Sequence, residues 1–384
     1  MADRAERAAR MALACVVEAG DLRIRERLRA EGAEAVWASV RASTTDDAWS
    51  RRAALVDLTS VESLARRHGL RFVVPSDPEW PSALADLDGS EPVQQWGGAP
   101  LGLWVKGSAS LAELAADAVA VVGCRASTAY GERVATELAA GLAEGGTTVV
   151  SGGAFGIDAA AHRGALAADG PTLAVMAGGL DRFYPSANTS LLEGVAEHGL
   201  VIAESPPGTP PSRRRFLTRN RIIAALGRGL VVVEATARSG ARNTANWATT
   251  CFRPVMAVPG PVSSSTSYTP HWLIREGQAT LVTGLADVRE IIAPMGEAFV
   301  LRESQPRLLD LLDEEQAAVY EALPSRGSRD TGEVALDSGL SLPATLAALE
   351  ELRARGLVAS SPDGGWRLGV VQDRPLSAQE EGGG

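Results

Sequence analysis

A glycine-rich stretch in the first half of the chain contains the residues best suited to binding an anion. Residues 149–166 read VVSGGAFGIDAAAHRGAL: two valines end a strand, a glycine turn follows, and an alanine-rich helix begins. Glycines let backbone N–H groups approach a ligand closely, and the unpaired N–H groups at a helix start favour negative charge. The pattern predicts a phosphate site, while a simple tight turn remains the alternative. The candidate binding residues of this loop are Ser151, Gly152, Gly153, Phe155 and Gly156.

A cluster of arginines in the second half of the chain offers further phosphate ligands. Residues 205–242 contain eight arginines and one acid, Glu234, which gives a local charge of +7 in a chain of net charge −10. The fork of N–H donors on an arginine matches the oxygens of a phosphate. On a predicted helix over residues 215–226 the arginines occupy neighbouring faces, while Phe216 can point inward. Because an ordinary solvated helix face would intersperse acids, the cluster favours binding to a phosphate backbone. From this cluster and the other loops we select Arg125, Ser127, Asn188, Arg219, Asn220 and Arg221 as candidates.

Three aromatic residues in the same loops, Phe155, Phe183 and Tyr184, could stack on nucleic acid bases. Such stacking tolerates any base sequence and is typical of single-strand binding. At least one of the three is expected to pack in the core instead. The net negative charge argues against a protein coated over its whole surface with nucleic acid, because non-specific binding neutralises phosphates. The sequence therefore predicts a local site.

The residue types of a hydrolase are present without its motifs. Ser151, Asp158 and His162 lie in one stretch, but no G-x-S-x-G is found, and capping and packing account for an aspartate and a histidine one helical turn apart. A Walker A loop is excluded because Lys106, the one lysine of the chain, lies between Val105 and Gly107. No G-x-G-x-x-G occurs either. We predict a protein that is not an enzyme and needs no cofactor.

The elements that must position these residues form an α/β pattern. Apolar, β-rich runs alternate with helical stretches, and continuous apolarity predicts strands covered on both faces of a mostly parallel sheet. In such sheets ligands bind beyond the carboxyl ends of the strands, where the polar and glycine-rich loops of this chain lie. The predicted fold is therefore an extended Rossmann-like domain. Its strand candidates are residues 119–123, 147–151, 172–177, 200–204, 230–235 and 254–258.

Helical and linker patterns predict further domains around this sheet. The division runs from a small helical domain (1–70) through the extended Rossmann-like domain (71–292, core 118–292), a linker (293–312) and a winged helix (313–371) to a disordered tail (372–384). No apolar run reaches the roughly 18 residues of a membrane span, and the start mixes acids with arginines, unlike a signal peptide. We expect a cytoplasmic protein without membrane association. Three scattered cysteines indicate neither a disulfide framework nor a zinc site.

The winged helix is predicted from three helices, over residues 314–322, 331–338 and 342–355, and a following hairpin. Its third helix carries Glu350 and Glu351, which suit the major groove of duplex DNA poorly because phosphate contacts need positive charge. We expect a protein-contact or auxiliary role for this domain.

Six runs in order resemble the DprA/Smf family of DNA-processing proteins: GCRASTAYG, SGGAFGIDAAAHRGAL, GGLDRFYPSANTSLL, RFLTRNRIIAALGRGLVVVEA, SGARNTANWA and VPGP. The resemblance covers about residues 100–292, and the preceding DPEWPSALADL resembles the family's lead-in. It implies an extended Rossmann fold that binds single-stranded DNA, forms a homodimer and loads RecA recombinase on incoming strands in natural transformation or related recombination. SGARNTANWA departs from the family's more apolar SGSLITA, and Leu217 stands where the family has a proline.

The alternative function is a nucleotide-binding enzyme of the lysine decarboxylase-like phosphoribohydrolase type. Those enzymes combine a glycine-rich phosphate loop with a threonine and glutamate motif. No such motif is found here, since Glu234 follows three valines and the glycine text nearby reads SGAR. The sequence therefore favours the nucleic acid binder over the nucleotide enzyme.

Overall fold

A mostly parallel sheet forms the centre of the chain, which confirms the predicted α/β fold class. In the computed structural model the described residues are 4–293 and 312–369, and the first range contains a sheet of nine strands in the order β1-β2-β6-β5-β4-β3-β7-β8-β9. In the part of this order that runs from β6 through β5, β4, β3, β7 and β8 to β9, all neighbouring strands are parallel. Strands β1 and β2 add an antiparallel edge. The strands are β1 (Leu70–Val73), β2 (Leu103–Lys106), β3 (Ala118–Val122), β4 (Thr148–Ser151), β5 (Thr172–Met176), β6 (Leu200–Ala203), β7 (Leu230–Val232), β8 (Val255–Ala257) and β9 (Thr280–Leu281).

Helices cover both faces of this sheet, because successive residues of each buried strand point to opposite sides. The helices of this first unit are α1 (Arg4–Val16), α2 (Leu22–Glu31), α3 (Ala33–Ala42), α4 (Ala48–Ala53), α5 (Leu58–Arg67), α6 (Asp86–Gly89), α7 (Leu111–Ala116), α8 (Ala129–Glu144), α9 (Ile157–Ala167), α10 (Thr189–His198), α11 (Arg213–Leu226), α12 (Ala241–Thr250), α13 (Tyr268–Arg275) and α14 (Leu285–Ile292). On β3, Ala120 packs with the side of α11 and α12, while Val119 and Val121 pack with the side of α8 and α9. Both faces of the parallel sheet are therefore buried beneath helices.

The first five helices belong to the same compact unit as the sheet, which the contacts delimit as Met1–Glu297. Leu13, Val16 and Val36 form their own apolar cluster, yet Met11 of α1 packs with Phe72 of β1. Helices α4 and α5 are separate because the side chain of Asp57 accepts a hydrogen bond from the N–H of Thr59 and caps the start of α5. No helix among the described residues is long and apolar enough to cross a membrane.

The second unit, Ala298–Gly384, is described from residue 312 to residue 369. Within that range α15 (Glu314–Glu321), α16 (Thr331–Ser338) and α17 (Leu342–Ala354) precede an antiparallel hairpin of β10 (Val358–Ser360) and β11 (Trp366–Leu368). This is the element order on which the winged-helix prediction rests. The predicted linker over 293–312, apart from its two end residues, and the predicted tail over 372–384 lie outside the described residues.

Helices α8 and α9 cross at very short range, and a glycine makes the approach possible. A Cβ placed on Gly164 would overlap the carbonyl oxygen of Thr136 and lie 2.9 Å from its Cα. These are backbone atoms, so they cannot rotate away as a side chain would. The contact holds α9, and with it the glycine-rich loop at its start, close to the loop that precedes α8.

We predict that Gly164→Ala destabilises the protein by about 1–3 kcal/mol, because the added methyl group must push α8 and α9 apart. The matched control is Gly194→Ala on α10, where the nearest atom to the new Cβ, Leu166 Cδ1, is at an ordinary 3.5 Å. There the better helix propensity of alanine should stabilise the chain by up to about 1 kcal/mol. Urea unfolding of both variants measures the difference, and equal effects would contradict the packing argument.

Candidate nucleic-acid interface

The loops that follow the parallel strands meet at one edge of the sheet, which we call the rim. Strands β3 to β8 all end there because they run in the same direction. This is the edge at which α/β sheets bind ligands. The rim consists of residues 123–128 after β3, 152–156 after β4, 177–188 after β5, 204–212 after β6, 233–240 after β7 and 258–268 after β8.

The glycine-rich loop at the centre of the rim is shaped by close internal contacts. Gly153 and Gly156 have φ values of +66° and +75°, which residues with a Cβ rarely adopt. A Cβ on Gly156 would overlap the carbonyl oxygen of Cys124, and one on Gly152 would overlap the guanidinium of Arg219. The glycines are therefore required by the packing of the loop against its neighbours. The tight-turn alternative therefore explains Gly152, Gly153 and Gly156. The outer surface of the loop remains available for a ligand.

Several of the predicted phosphate ligands are buried and support this loop from behind. The hydroxyl of Ser151 donates to Val121 O at 2.7 Å, and the side-chain amide of Asn188 donates to Gly153 O at 3.0 Å. Both residues are buried, as are Gly152 and Gly153. Their interaction partners are protein groups, so they fix the shape of the loop.

A solvent-facing cluster forms where the loops after β3, β4 and β5 meet the first turn of α11. The guanidinium carbon of the exposed Arg125 lies 4.5 Å from the ring centroid of Phe216, a cation–π contact. The ring of Tyr184, 49% exposed, has its centroid 6.0 Å from that of Phe216, and Phe155 is 47% exposed on the adjacent glycine-rich loop. We call Arg125, Phe155, Tyr184 and Phe216 the aromatic cluster.

Phe216 is the member of this cluster that the sequence missed. The helical pattern assigned it to the interior, but it is half-buried and lies beneath Arg125 at the start of α11. Phe216 is surrounded by arginines in RFLTRNR, and this pattern could have indicated a cation–π contact. Of the three aromatics proposed for stacking, Phe183 packs against the core cluster of Met176 and Leu180, as one of the three was expected to do.

Arg219 lies immediately behind the cluster and is almost wholly buried. Its Nη1 donates to Val175 O at 2.7 Å, and its Nε has no partner among the described residues. Burial lowers the pKa of Arg219 to about 10, while the nearby carboxylate of Asp158 acts in the opposite direction. At neutral pH the guanidinium is therefore charged. It contributes positive potential beneath Gly152 without reaching the surface.

Arg221 and Asn220 are occupied inside the protein, which corrects their selection as phosphate ligands. Both terminal nitrogens of Arg221 donate to the carboxylate of Glu204 at 2.7 Å, its Nε donates to Gly98 O at 2.9 Å, and its side chain has no exposed surface. The amide of Asn220 donates to Asn243 Oδ1 at 3.1 Å. These bonds use the donors that a phosphate would need, because a buried charge requires its partners.

The arginine-rich stretch as a whole does not form one basic face. Acids from other parts of the chain pair with its arginines: Glu18 with Arg215 at 3.2 Å and Asp117 with Arg228 at 2.8 Å, besides Glu204. Arg214 and Arg242 lie against the rings of Trp96 and Trp272. The exposed cations left include Arg125 and Arg238 on the rim and Arg213 at the start of α11. Ser127, half-buried, donates to Glu132 at 2.8 Å.

A buried carboxylate closes the rim between β3 and β7, the point at which the strand order reverses. Glu234 accepts hydrogen bonds from Thr128 N at 2.8 Å, Thr128 Oγ1 at 2.7 Å and Thr266 Oγ1 at 2.9 Å. Thr128 is the N-cap of α8, so this carboxylate takes the place at the helix start that favours an anion. The space that a nucleotide phosphate would use in such a fold is filled by a side chain of the protein.

The serine, aspartate and histidine of the same stretch do not form a hydrolytic site. His162 is fully buried, and burial lowers its pKa to about 3. Because the Thr172 hydroxyl donates to Val149 O, the 2.7 Å contact with His162 makes Nδ1 the donor to that hydroxyl. The hydroxyl of Ser151 already donates to Val121 O, and burial raises the pKa of Asp158. All three side chains are therefore buried groups of the protein interior. Among the described residues no cluster of acidic, histidine and cysteine side chains could hold a metal ion.

We predict that Arg221→Ala lowers the free energy of unfolding by about 3–5 kcal/mol, because it removes a fully buried guanidinium and leaves the largely buried carboxylate of Glu204 without its partner. Arg125→Ala should change it by less than about 1 kcal/mol, since the Arg125 side chain is exposed. Urea unfolding followed by circular dichroism measures both. A small effect of the Arg221 change would mean that the ion pair contributes little to the fold.

Comparison with known proteins gives consistent results. A family model described as DNA recombination-mediator protein A matches residues 71–293. The putative DNA processing protein DprA of Mycobacterium tuberculosis (strain H37Rv) is 50% identical over 313 residues, which cover 80% of this chain and 79% of that protein. Protein Smf of Escherichia coli (strain K12) is 35% identical over 303 residues, covering 77% of each.

Solved structures show the same relationship. The X-ray structure of DNA processing protein A from Streptococcus pneumoniae matches with a TM-score of 0.62 and 32% identity, over 76% of this chain and 98% of that one. DNA processing protein A from Helicobacter pylori, whose structure is described as giving insight into its single-stranded DNA binding mode, matches with a TM-score of 0.50 and 26% identity, over 58% of this chain and 96% of that one.

Proposed function

The chain belongs to the DprA/Smf family of DNA recombination mediators, and on that premise we propose that it binds single-stranded DNA at the aromatic cluster of the rim. The observation that carries the proposal is the exposed Arg125 held on the ring of Phe216, with the exposed ring of Tyr184 beside it and the exposed Phe155 on the adjacent glycine-rich loop. An arginine fork binds phosphate, and exposed rings accept bases by stacking. The relative from Helicobacter pylori, described as a single-stranded DNA binder, supports the same function.

The shape and charge of the site favour a single strand over a duplex. Stacking on Tyr184 and Phe155 needs bases whose faces are free, and a duplex hides them. A duplex reader would present a helix flanked by many cations to the major groove, whereas most arginines of α11 are paired or buried. Few phosphate contacts and several rings are the combination expected of single-strand binding.

We predict that fluorescein-labelled oligo-dT binds more tightly than a duplex of the same length, and that binding weakens as salt rises. Arg125→Ala should weaken it about tenfold or more, because a hydrogen bond to a charged group contributes about 1.5–3 kcal/mol. The slope of log affinity against log salt should also fall by about 0.7 for the lost phosphate contact.

The matched control for this experiment is Arg275→Ala. Arg275 is also exposed, but it ends α13 at the opposite edge of the sheet and pairs with Glu276. Its removal should leave the affinity unchanged. Equal losses in the two variants, or tighter binding of the duplex, would refute the site or its preference.

We also propose that the chain is not a nucleotide-cleaving enzyme. The support is Glu234, whose carboxylate fills the helix start that a nucleotide phosphate would need, and His162, which is buried and neutral. Incubation with AMP and ATP should therefore release neither free base nor phosphate above background. Turnover of more than one nucleotide per chain, lost in Glu234→Gln, would favour the phosphoribohydrolase alternative.

The family relationship suggests the remaining partners. We propose a cytoplasmic homodimer that loads RecA recombinase on its bound strand, since two rims on one strand would raise each other's effective concentration. Sedimentation of the full chain should give the dimer mass. Addition of the chain should speed RecA filament formation on a strand already covered by a single-strand binding protein. A monomer, or an unchanged rate, would contradict the respective part.

A further inference from the structure

We propose that the bound strand continues from the aromatic cluster across the carboxyl ends of β7 and β8, where Arg238 and Tyr268 form a second contact set. This inference rests on the proposed binding of single-stranded DNA and extends its site. Arg238 would contact a phosphate, and the ring of Tyr268 would stack on a base. The apolar Val262 lies on the same loop as Tyr268 and would pack beside it.

The rim provides a continuous path between the two contact sets. The loop after β4 meets the loop after β3 where the N–H of Ile157 donates to Cys124 O at 3.3 Å. The loops after β3, β7 and β8 are joined through the carboxylate of Glu234. The backbone N–H groups of Ala235 and Thr269 add bonds of 2.7 and 2.9 Å between the last two loops. The loops from β3 to β8 are therefore bonded to one another along the whole path of the proposed strand.

The residues of the second set are exposed although the loops that carry them are well anchored. Tyr268 is 53% exposed while the adjacent Thr269 is buried and donates from Oγ1 to Thr236 O at 2.8 Å. Val262 is 94% exposed. Arg238 lies in the turn closed by the bond from Ser239 N to Thr236 O at 3.0 Å, and Thr236 is the residue bonded to Thr269, the neighbour of Tyr268. Exposed rings and valines on anchored loops are surfaces from which a ligand can remove water.

The charges around the second set are favourable to a polyanion. Residues 258–268 carry no acidic or basic side chain, and the one acid of residues 233–240 is the buried Glu234. Arg238 is exposed and has no ion pair with any residue that the structure describes. Unlike the paired arginines of α11, it keeps its charge available to a phosphate.

The length of the path sets the size of the ligand. Along the order β5-β4-β3-β7-β8 there are four steps between neighbouring strands, so the ends of β5 and β8 are about 19 Å apart at about 4.8 Å per step. A stacked single strand rises about 3.4 Å per nucleotide, and about six nucleotides would span this distance. A strand of four nucleotides, about 14 Å long, cannot contact Tyr184 after β5 and Tyr268 after β8 at once, whereas a strand of twelve can.

The experiment compares oligo-dT of four and twelve nucleotides, each labelled with fluorescein, by fluorescence anisotropy on the full chain. Tyr268→Ala and Arg238→Ala should each weaken binding of the 12-mer about fivefold to tenfold and leave binding of the 4-mer, held at the aromatic cluster, within about twofold. Tyr268→Phe should restore 12-mer binding because it keeps the ring. Phe252→Ala is the matched control, since Phe252 is 90% exposed but precedes β8 at the opposite edge of the sheet.

The outcomes separate this inference from the function on which it rests. Selective loss of 12-mer affinity in the Tyr268 and Arg238 variants supports the extended path. Unchanged 12-mer affinity, or a loss no larger than that of Phe252→Ala, overturns the path alone and leaves the aromatic cluster as the site. Equal losses for the 4-mer and the 12-mer also overturn it. If the unaltered chain binds no oligo-dT, the proposed function fails and this inference fails with it.

Discussion

The carboxylate of Glu234 is the interaction on which the form of the rim depends. In an open α/β sheet the reversal of strand order leaves a crevice, and the start of the nearby helix attracts an anion. Here Glu234 accepts three hydrogen bonds in that place, two from Thr128 and one from Thr266, and thereby joins the loops after β3, β7 and β8. A fold that commonly offers a pocket for one nucleotide is left with a continuous edge instead. An edge suits a polymer better than a small molecule.

The arginines of this protein have two roles: the buried ones hold the structure together, and an exposed one is available to a ligand. Arg221 and Glu204 pair inside the protein, where the loss of one partner would leave an uncompensated charge in a medium of low dielectric constant. Arg219 is buried beneath the glycine-rich loop and fixes Gly152 by close contact. Arg125 alone of these is exposed, and the ring of Phe216 orients it without using its N–H donors. The buried arginines therefore shape the surface that the exposed one uses.

The sequence pattern predicted the strands and helices better than it predicted the binding residues, and each outcome has a physical reason. Runs such as AVAVV in β3 and TLAVM in β5 are apolar at every position, and only strands covered on both faces need that. The glycine-rich loop was found because glycine is strongly favoured where φ is positive, as at Gly153 and Gly156.

By itself the sequence determined the fold class, the edge of the sheet at which the loops converge, and the family, because these depend on local apolar patterns and on motifs in a fixed order. It did not determine which arginines remain available. The local charge of +7 counted only neighbours along the chain, whereas Glu18, Asp117 and Glu204 reach the arginines from elsewhere. The helical pattern also assigned Phe216 to the interior, whereas in the structure its ring contacts the guanidinium of Arg125. Ion pairs and stacking act over a few ångströms in space, so only the tertiary structure could decide them.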